Sequence, residues 1–123
     1  MAGTILAVDD SRTMRDLIEF VLSSAGYQMV VATDGEDGLD KLSTMRPNLV
    51  ITDINMPKMD GYGFMRAVRG NEATRSLPIL VLTTESDPAA KAKIKEAGAN
   101  GWIAKPFNPA QLVETVKRFT CQT

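Results

Sequence analysis

Short apolar runs alternate with segments of helical periodicity along these 123 residues, and this alternation constrains the fold more than any other feature. The apolar runs cover residues 4–8, 27–33, 49–53, 79–83 and 101–104. After each run, apolar residues recur about three to four positions apart, which is typical of one face of a helix. Strands that alternate with helices in this way predict a parallel sheet with helices on both faces.

Capping residues and prolines mark the helix boundaries. Ser11 or Asp10 is placed to cap the first helix, whose spacing puts Leu17 on the buried face, and Gly26 follows its end. We expect the second helix to run as far as Pro47. Asp60, Asp87 before a proline, and Asn108 are the caps expected for the last three helices. Because crossovers are right-handed, we predict one α/β domain over residues 1–123, with the doubly wound, flavodoxin-like strand order 2-1-3-4-5.

Composition excludes several classes of protein. Without histidine, the chain has no Ser-His-Asp triad, no histidine general base and few options for zinc. The net charge of −1 gives no reason to expect nucleic acid or a membrane surface as a partner. The single cysteine, Cys121, fits a reducing cytoplasm, and the apolar run at residues 5–8 is too short for a signal peptide or a membrane span.

Three acids follow two strands that the predicted order makes neighbours. Asp9 and Asp10 follow the first strand, and Asp53 follows the third. Taken alone, the Asp9-Asp10 pair is explained as a helix cap, and Asp53 as the start of a turn. In the predicted sheet, however, the three carboxylates converge at the crevice where ligands bind, and their mutual repulsion calls for a cation. Magnesium, which prefers oxygen ligands, fits this set.

Two further residues end strands at the same edge. Thr83 ends the fourth strand and Lys105 follows the fifth. Separately they are a β-branched strand residue and a solvated surface lysine. Together with the acids they provide a hydroxyl and a positive charge suited to a phosphoryl group. We therefore interpret Asp53 as a nucleophile that forms an aspartyl phosphate, and the phosphoryl donor as another molecule.

Several short motifs occur in order along the chain, each close to the end of a strand. They are Val8-Asp9-Asp10-Ser11, Asp53, Asn55-Met56-Pro57, Gly61, Thr83 and Lys105-Pro106-Phe107. Each motif is weak alone, but together they resemble the receiver domains of bacterial two-component response regulators, and most of all the single-domain, CheY-like regulators of chemotaxis. The resemblance extends from Thr4 to Phe119.

The resemblance implies a role for each acid at this edge. Asp53 is the expected phosphoacceptor. Asp10, Asp53 and the backbone carbonyl of Asn55 are expected to bind Mg²⁺, and Asp9 to act mainly through a metal-bound water. Asn55 and Glu85 occupy positions that tune hydrolysis of the aspartyl phosphate, although Glu85 is equally well explained as a loop acid.

The resemblance also implies how the phosphoryl group is sensed. Lys105 is expected to pair with it, and Thr83 to move toward it. The Lys105–Pro106 peptide bond is expected to be cis, an isomer found essentially only before proline. Trp102 replaces a smaller aromatic residue that swings inward on activation, so it is a switch residue, part of a docking face, or simply a partly buried strand aromatic. Thr84, in place of a smaller residue, is expected to narrow access to the phosphoryl group.

The predicted function is a phosphorylation-activated signalling switch rather than an enzyme with its own substrate. The expected partners are a chemotaxis sensor histidine kinase, the flagellar motor switch protein and a phosphatase, with no nucleic acid and no membrane insertion. We expect a monomer without an output domain, whose last two helices and intervening strand dock on the target. The alternative within the family is a phosphorelay intermediate or phosphate sink.

Two other classes share parts of this pattern. A flavin-binding electron carrier has the same fold, but its phosphate loop does not begin with two acids such as Asp9 and Asp10. A phosphatase with an aspartate nucleophile has an Asp-x-Asp motif, whereas Ser11 stands at the second position after Asp9.

Overall fold

The computed structural model describes residues 3–84 and 87–120. Within them, five parallel strands form one sheet in the order β2-β1-β3-β4-β5. The predicted fold class and strand order are therefore confirmed. The strands are β1 (Thr4–Val8), β2 (Gln28–Ala32), β3 (Leu49–Thr52), β4 (Ile79–Thr83) and β5 (Gly101–Ala104).

Each strand is followed by a helix whose first turn is capped by a side chain. The helices are α1 (Arg12–Ser24), α2 (Gly35–Leu42), α3 (Gly61–Gly70), α4 (Pro88–Glu96) and α5 (Pro109–Thr120). In every case an oxygen of the capping side chain accepts a hydrogen bond from the backbone N–H three residues later, which satisfies a donor that the helix leaves unpaired. The capping residues are Ser11, Asp34, Asp60, Asp87 and Asn108.

Two expectations about the helices were wrong. α2 ends at Leu42 rather than at Pro47, because Ser43 closes the helix: its hydroxyl donates to the Asp40 carbonyl at 2.6 Å. Leu17 is 42% exposed, since α1 meets the sheet along the narrower stripe that contains Ile18 and Leu22.

The core lies in two layers, one on each face of the sheet. Alternate strand residues such as Leu6, Val50 and Val81 pack with α2, α3 and α4. The intervening residues, such as Ile5, Ile51 and Leu80, pack with α1 and α5. β3 and β4 are buried along their whole length, as expected for central strands covered on both faces. Among the described residues, no helix has both the length and the apolar character needed to cross a membrane.

Candidate functional site

Asp9 and Asp53 leave neighbouring strands at the same level. Val8 and Thr52 are paired in register, so the two acids are the first residues beyond the paired segments. The Asp53 N–H donates to the Val8 carbonyl at 3.0 Å and extends the pairing by one step. One carboxylate oxygen from each of Asp9, Asp10 and Asp53 lies within 4.8 Å of the others. The structure thus brings together the three acids singled out in the sequence.

Asp9 and Asp53 share the ammonium group of Lys105. Lys105 Nζ lies 3.1 Å from Asp9 Oδ2 and 3.2 Å from Asp53 Oδ2. The second oxygen of each carboxylate accepts a backbone N–H, from Ser11 for Asp9 at 2.9 Å and from Ile54 for Asp53 at 2.7 Å. A buried charge needs such partners, and Asp9 is only 1% exposed, whereas Asp10 is exposed.

Burial shifts the pKa of Asp53 and also acts on Lys105, its counter-ion. It raises the pKa of Asp53 above the usual 3.8, although the Ile54 N–H and the charge of Lys105 oppose the shift. Burial also disfavours the Lys105 ammonium, but the hydrogen bond and charge of Asp9, together with the charge of Asp53, outweigh it. The pKa of Lys105 is therefore raised above the usual 10.5, and the residue is a permanent cation at neutral pH.

Thr83 and Lys105 meet where β4 and β5 end. The Lys105 N–H donates to the Thr83 carbonyl at 2.8 Å, and the Thr83 side chain is fully buried. The Lys105–Pro106 peptide bond is cis, the isomer that the resemblance implies. Thr84 is exposed beside them. Glu85, proposed from the sequence to tune hydrolysis, lies outside the described residues.

The loop after Asp53 brings the start of α3 so close to the main chain of Asp53 that position 61 has room only for glycine. The Gly61 N–H donates to the Ile54 carbonyl at 2.8 Å. A Cβ on Gly61 would lie 2.3 Å from the Asp53 carbonyl oxygen, a distance that real Cβ atoms do not reach. Between them, a three-residue turn places Lys58 at a φ of 66°, a left-handed conformation that is rare for residues other than glycine. The glycine at position 61 is thus explained by the close approach of α3 to the main chain of Asp53.

Comparison with known proteins agrees with this geometry. The sequence profile of the response regulator receiver domain matches residues 5–117. The chain belongs to the receiver-domain family of two-component response regulators. It is 41% identical over 104 residues to a probable chemotaxis protein CheY of Rhizobium etli, covering 84% of this chain and 81% of that protein.

Solved receiver domains superpose closely on this one. The chemotaxis response regulator CheY4 of Vibrio cholerae is 42% identical with a TM-score of 0.92, covering 97% of this chain and 99% of that one. The receiver domain of the sensor histidine kinase PA1611 of Pseudomonas aeruginosa is 30% identical with a TM-score of 0.91, covering 99% of this chain and 100% of that one. That structure has a magnesium ion coordinated in its active-site cleft. By contrast, this chain spans about half the length of the probable transcriptional regulators ycf27 that it also matches.

The donor set of this receiver domain suits a magnesium ion. All three carboxylates offer hard oxygen ligands, which Mg²⁺ prefers. Asp10 is exposed, so the side of the site that it forms is open to the waters that Mg²⁺ retains. Asn55 lies in the loop that follows Asp53, and it is exposed.

Trp102 takes no part in the cluster around Asp53. Its ring lies in a cleft of about 320 Å³ between α4 and β5, with Lys91 Nζ 4.5 Å from the ring centroid. The residue is half-buried, and its indole Nε1 is buried without a hydrogen-bond partner in the described part of the chain. Trp102 is therefore a partly buried strand aromatic in this structure, and its roles as a switch residue or as part of a docking face stay predictions.

Sequence reasoning missed three donors at the site. Two are the backbone N–H groups of Ser11 and Ile54, which leave no trace in a residue pattern. The third is Arg15, whose Nη1 donates to the Asp9 carbonyl at 2.8 Å. A signal for Arg15 existed, since the first turn of a helix favours acids over cations and α1 begins with no acid and two arginines in its first four residues.

Proposed function

We propose that this receiver domain is a phosphorylation-driven switch in which Asp53 is the phosphoacceptor. The observation that carries the proposal is the position of its carboxylate, bonded to Lys105 at 3.2 Å and grouped with Asp9 and Asp10 within 4.8 Å. A nucleophilic carboxylate beside a fixed cation is suited to phosphoryl transfer, in which the protein mainly positions groups and neutralises charge.

The proposed transfer starts from a phosphohistidine of a sensor kinase. An Asp53 carboxylate oxygen attacks phosphorus, an O–P bond forms, the P–N bond breaks, and the imidazole leaves with a proton from solvent. Lys105, released from Asp53, pairs with a phosphoryl oxygen, and the Thr83 hydroxyl moves toward the same group. Asp10, Asp53 and the Asn55 carbonyl would hold Mg²⁺, and Asp9 would act through a metal-bound water. The ion would supply positive charge that offsets the charge of the transferred group.

The proposed output is docking of α4, β5 and α5 on another protein. A ligand shifts a two-state equilibrium only by binding one state better than the other, and here Thr83 and Trp102 are proposed to connect the phosphoryl group to that surface. We propose a cytoplasmic chemotaxis role for a monomer, with the flagellar motor switch as target and a phosphatase as a further partner. Hydrolysis would be tuned at Asn55 and Glu85. Similarity to CheY proteins of Rhizobium etli and Vibrio cholerae supports this role.

A second candidate is a phosphorelay intermediate or phosphate sink. It is favoured by the similarity to receiver domains of sensor histidine kinases, one from Syntrophus aciditrophicus and one from Pseudomonas aeruginosa. The two candidates differ in where the phosphoryl group goes next. Transfer from phosphorylated protein to a histidine-containing domain supports the relay, and binding to a motor-switch segment supports the switch.

The primary test uses acetyl phosphate and Mg²⁺ as the phosphoryl donor system. We expect one labile phosphoryl adduct by intact mass and a change in the emission of Trp102, which is the only tryptophan. Both signals should be absent in Asp53→Asn. An unchanged mass in protein that binds Mg²⁺ would contradict the proposal.

A further inference from the structure

Arg15 reaches from α1 to the main chain at the end of β1. Its Nη1 donates to the Asp9 carbonyl oxygen at 2.8 Å. The register of β1 with both of its neighbours ends at Val8, so this carbonyl belongs to the first residue beyond the paired strands. A partly buried carbonyl that has left the sheet needs another donor, and Arg15 supplies it.

With Arg15, each polar group of Asp9 has a partner. The Asp9 N–H donates to the Ala32 carbonyl at 3.1 Å, and the two carboxylate oxygens accept from Ser11 and Lys105. The one motion left to Asp9 is rotation of the peptide plane between Asp9 and Asp10. The hydrogen bond from Arg15 to the Asp9 carbonyl restricts that rotation.

Asp10 has no such support of its own. In the described part of the chain, its exposed carboxylate takes part in no hydrogen bond and no ion pair. Its direction relative to Asp53 thus depends on its main chain, and the preceding peptide plane is held by Arg15.

The position of Arg15 in α1 is otherwise unfavourable. Cations are disfavoured in the first turn of a helix, where the macrodipole is positive. Arg12, in the same turn, is exposed and lies 3.8 Å from Asp16 in a surface pair. Arg15 forms no ion pair with a carboxylate among the described residues, so its contact with Asp9 is made to the main chain.

We propose that Arg15 is a positioning residue of the magnesium site. It holds the Asp9–Asp10 peptide so that the Asp10 carboxylate faces Asp53, without touching the ion. The inference rests on the proposed function, because it assumes that Mg²⁺ binds at these three acids.

The direction in which Mg²⁺ affinity changes when Arg15 is removed separates a positioning role from simple electrostatic repulsion. A guanidinium near a cation site repels the cation, so removing it should tighten Mg²⁺ binding if charge alone matters. If Arg15 positions Asp10, removing it should weaken binding instead. Partners that orient metal ligands typically contribute about 10- to 100-fold to metal affinity, and we expect about 10-fold, since Arg15 acts through the main chain.

The experiment is calorimetric titration of Mg²⁺ into the full chain and into Arg15→Met, with Arg12→Met as the matched control. Arg12→Met removes the same charge from the same turn and should bind Mg²⁺ within about twofold of the wild type, because it has no contact with Asp9. In metal-free Arg15→Met, the ¹³C shift of the Asp9 carbonyl should also change, as it reports the lost hydrogen bond.

Arg15→Lys keeps the charge but not the planar fork, and we expect affinity between those of Arg15→Met and the wild type. It carries the test if Arg15→Met fails to fold. Affinity in either Arg15 variant equal to or tighter than that of the wild type would overturn the inference and leave the proposed function intact. Absence of Mg²⁺ binding by the wild type would instead overturn the proposed metal site, and the inference with it.

Discussion

Asp53, the proposed phosphoacceptor, lies in an environment that is unfavourable for its charge. Burial is the largest influence on its pKa and raises it, while the Ile54 N–H and Lys105 oppose the shift. The folded state therefore binds a proton at Asp53 more tightly than the unfolded state does. The contribution of Asp53 to the stability of the folded state therefore falls as the pH rises from 3.8 through the folded-state pKa. That loss remains at all higher pH values.

Replacing Asp53 by asparagine should therefore stabilise the metal-free protein. We expect Asp53→Asn to unfold at higher denaturant concentration than the wild type at pH 7, and the difference to shrink as the pH falls toward 3.8. Denaturant unfolding in EDTA across this range measures it. Lys105 keeps its bond to Asp9 at 3.1 Å in the variant, so its own charge remains compensated.

Two controls test the prediction for Asp53→Asn. Asp16→Asn removes an exposed acid of a surface pair and should change stability by less than about 1 kcal/mol. Added Mg²⁺ should reverse the order of wild type and Asp53→Asn, because an ion bound only by the folded wild type stabilises it by mass action. A metal-free wild type more stable than Asp53→Asn at pH 7 would contradict the assignment of burial as the dominant influence.

At the scale of elements, the start of α3 determines where Asp53 lies. The side chain of Asp60 caps the first turn of α3. The N–H of Gly61 joins this helix to the loop by donating to the Ile54 carbonyl at 2.8 Å. There is no room for a methyl group between Gly61 and the Asp53 main chain. The strand, the loop and the helix therefore act as one positioned unit.

Gly61→Ala should displace this unit. We expect a loss of about 1–3 kcal/mol in stability, the usual effect of overpacking, and slower phosphorylation by acetyl phosphate. Because a misplacement of about 1 Å costs up to about 100-fold in rate, the rate should fall more than stability alone explains. Mass spectrometry over time measures the rate.

Gly70→Ala is the matched control in the same helix. A Cβ there meets nothing within 4 Å, so we expect an unchanged rate and a gain in stability of up to about 1 kcal/mol. Equal phosphorylation rates in Gly61→Ala and Gly70→Ala would show that the loop tolerates the methyl group.

At the scale of the whole molecule, the two ends of the sheet have different tasks. The carboxyl ends of the strands carry the acids and Lys105. Near the amino ends of β4 and β5, Arg69 of α3 joins three segments: its guanidinium donates to the carbonyls of Leu77 at 2.5 Å and Gly98 at 2.7 Å, and to Asn100 Oδ1 at 2.7 Å. This end contributes to stability and takes no part in the proposed chemistry.

Arg69→Met should therefore destabilise the protein without altering the site. Hydrogen bonds from a charged donor contribute about 1.5–3 kcal/mol each, but they are not additive, and we expect a total loss of about 3 kcal/mol by denaturant unfolding. Mg²⁺ affinity and phosphorylation rate, measured well below the unfolding transition, should match the wild type because distant sites are independent.

Arg66→Met provides the comparison for Arg69→Met. Arg66 is exposed on the same helix, and its loss should change stability by less than about 0.5 kcal/mol. A fall in Mg²⁺ affinity in Arg69→Met but not in Arg66→Met would mean that the two ends of the sheet are coupled.

The sequence by itself determined the order of elements and the meeting of the acids. Apolar runs and helical spacing are local patterns, and the handedness of crossovers converts them into a strand order. That order places Asp9, Asp10 and Asp53 at one edge before any coordinate is known. The caps at Asp60 and Asp87 were predictable for the same reason, since each bonds only three residues ahead.

Only the tertiary structure decided which groups share each charge. Lys105 lies 96 residues from Asp9 in the chain, and its position between Asp9 and Asp53 depends on how β5 packs beside β4. The exposure of Leu17 and the contact of Arg15 depend likewise on how α1 lies against the sheet. A residue pattern records periodicity along the chain, whereas these contacts depend on distances between elements, which packing alone sets.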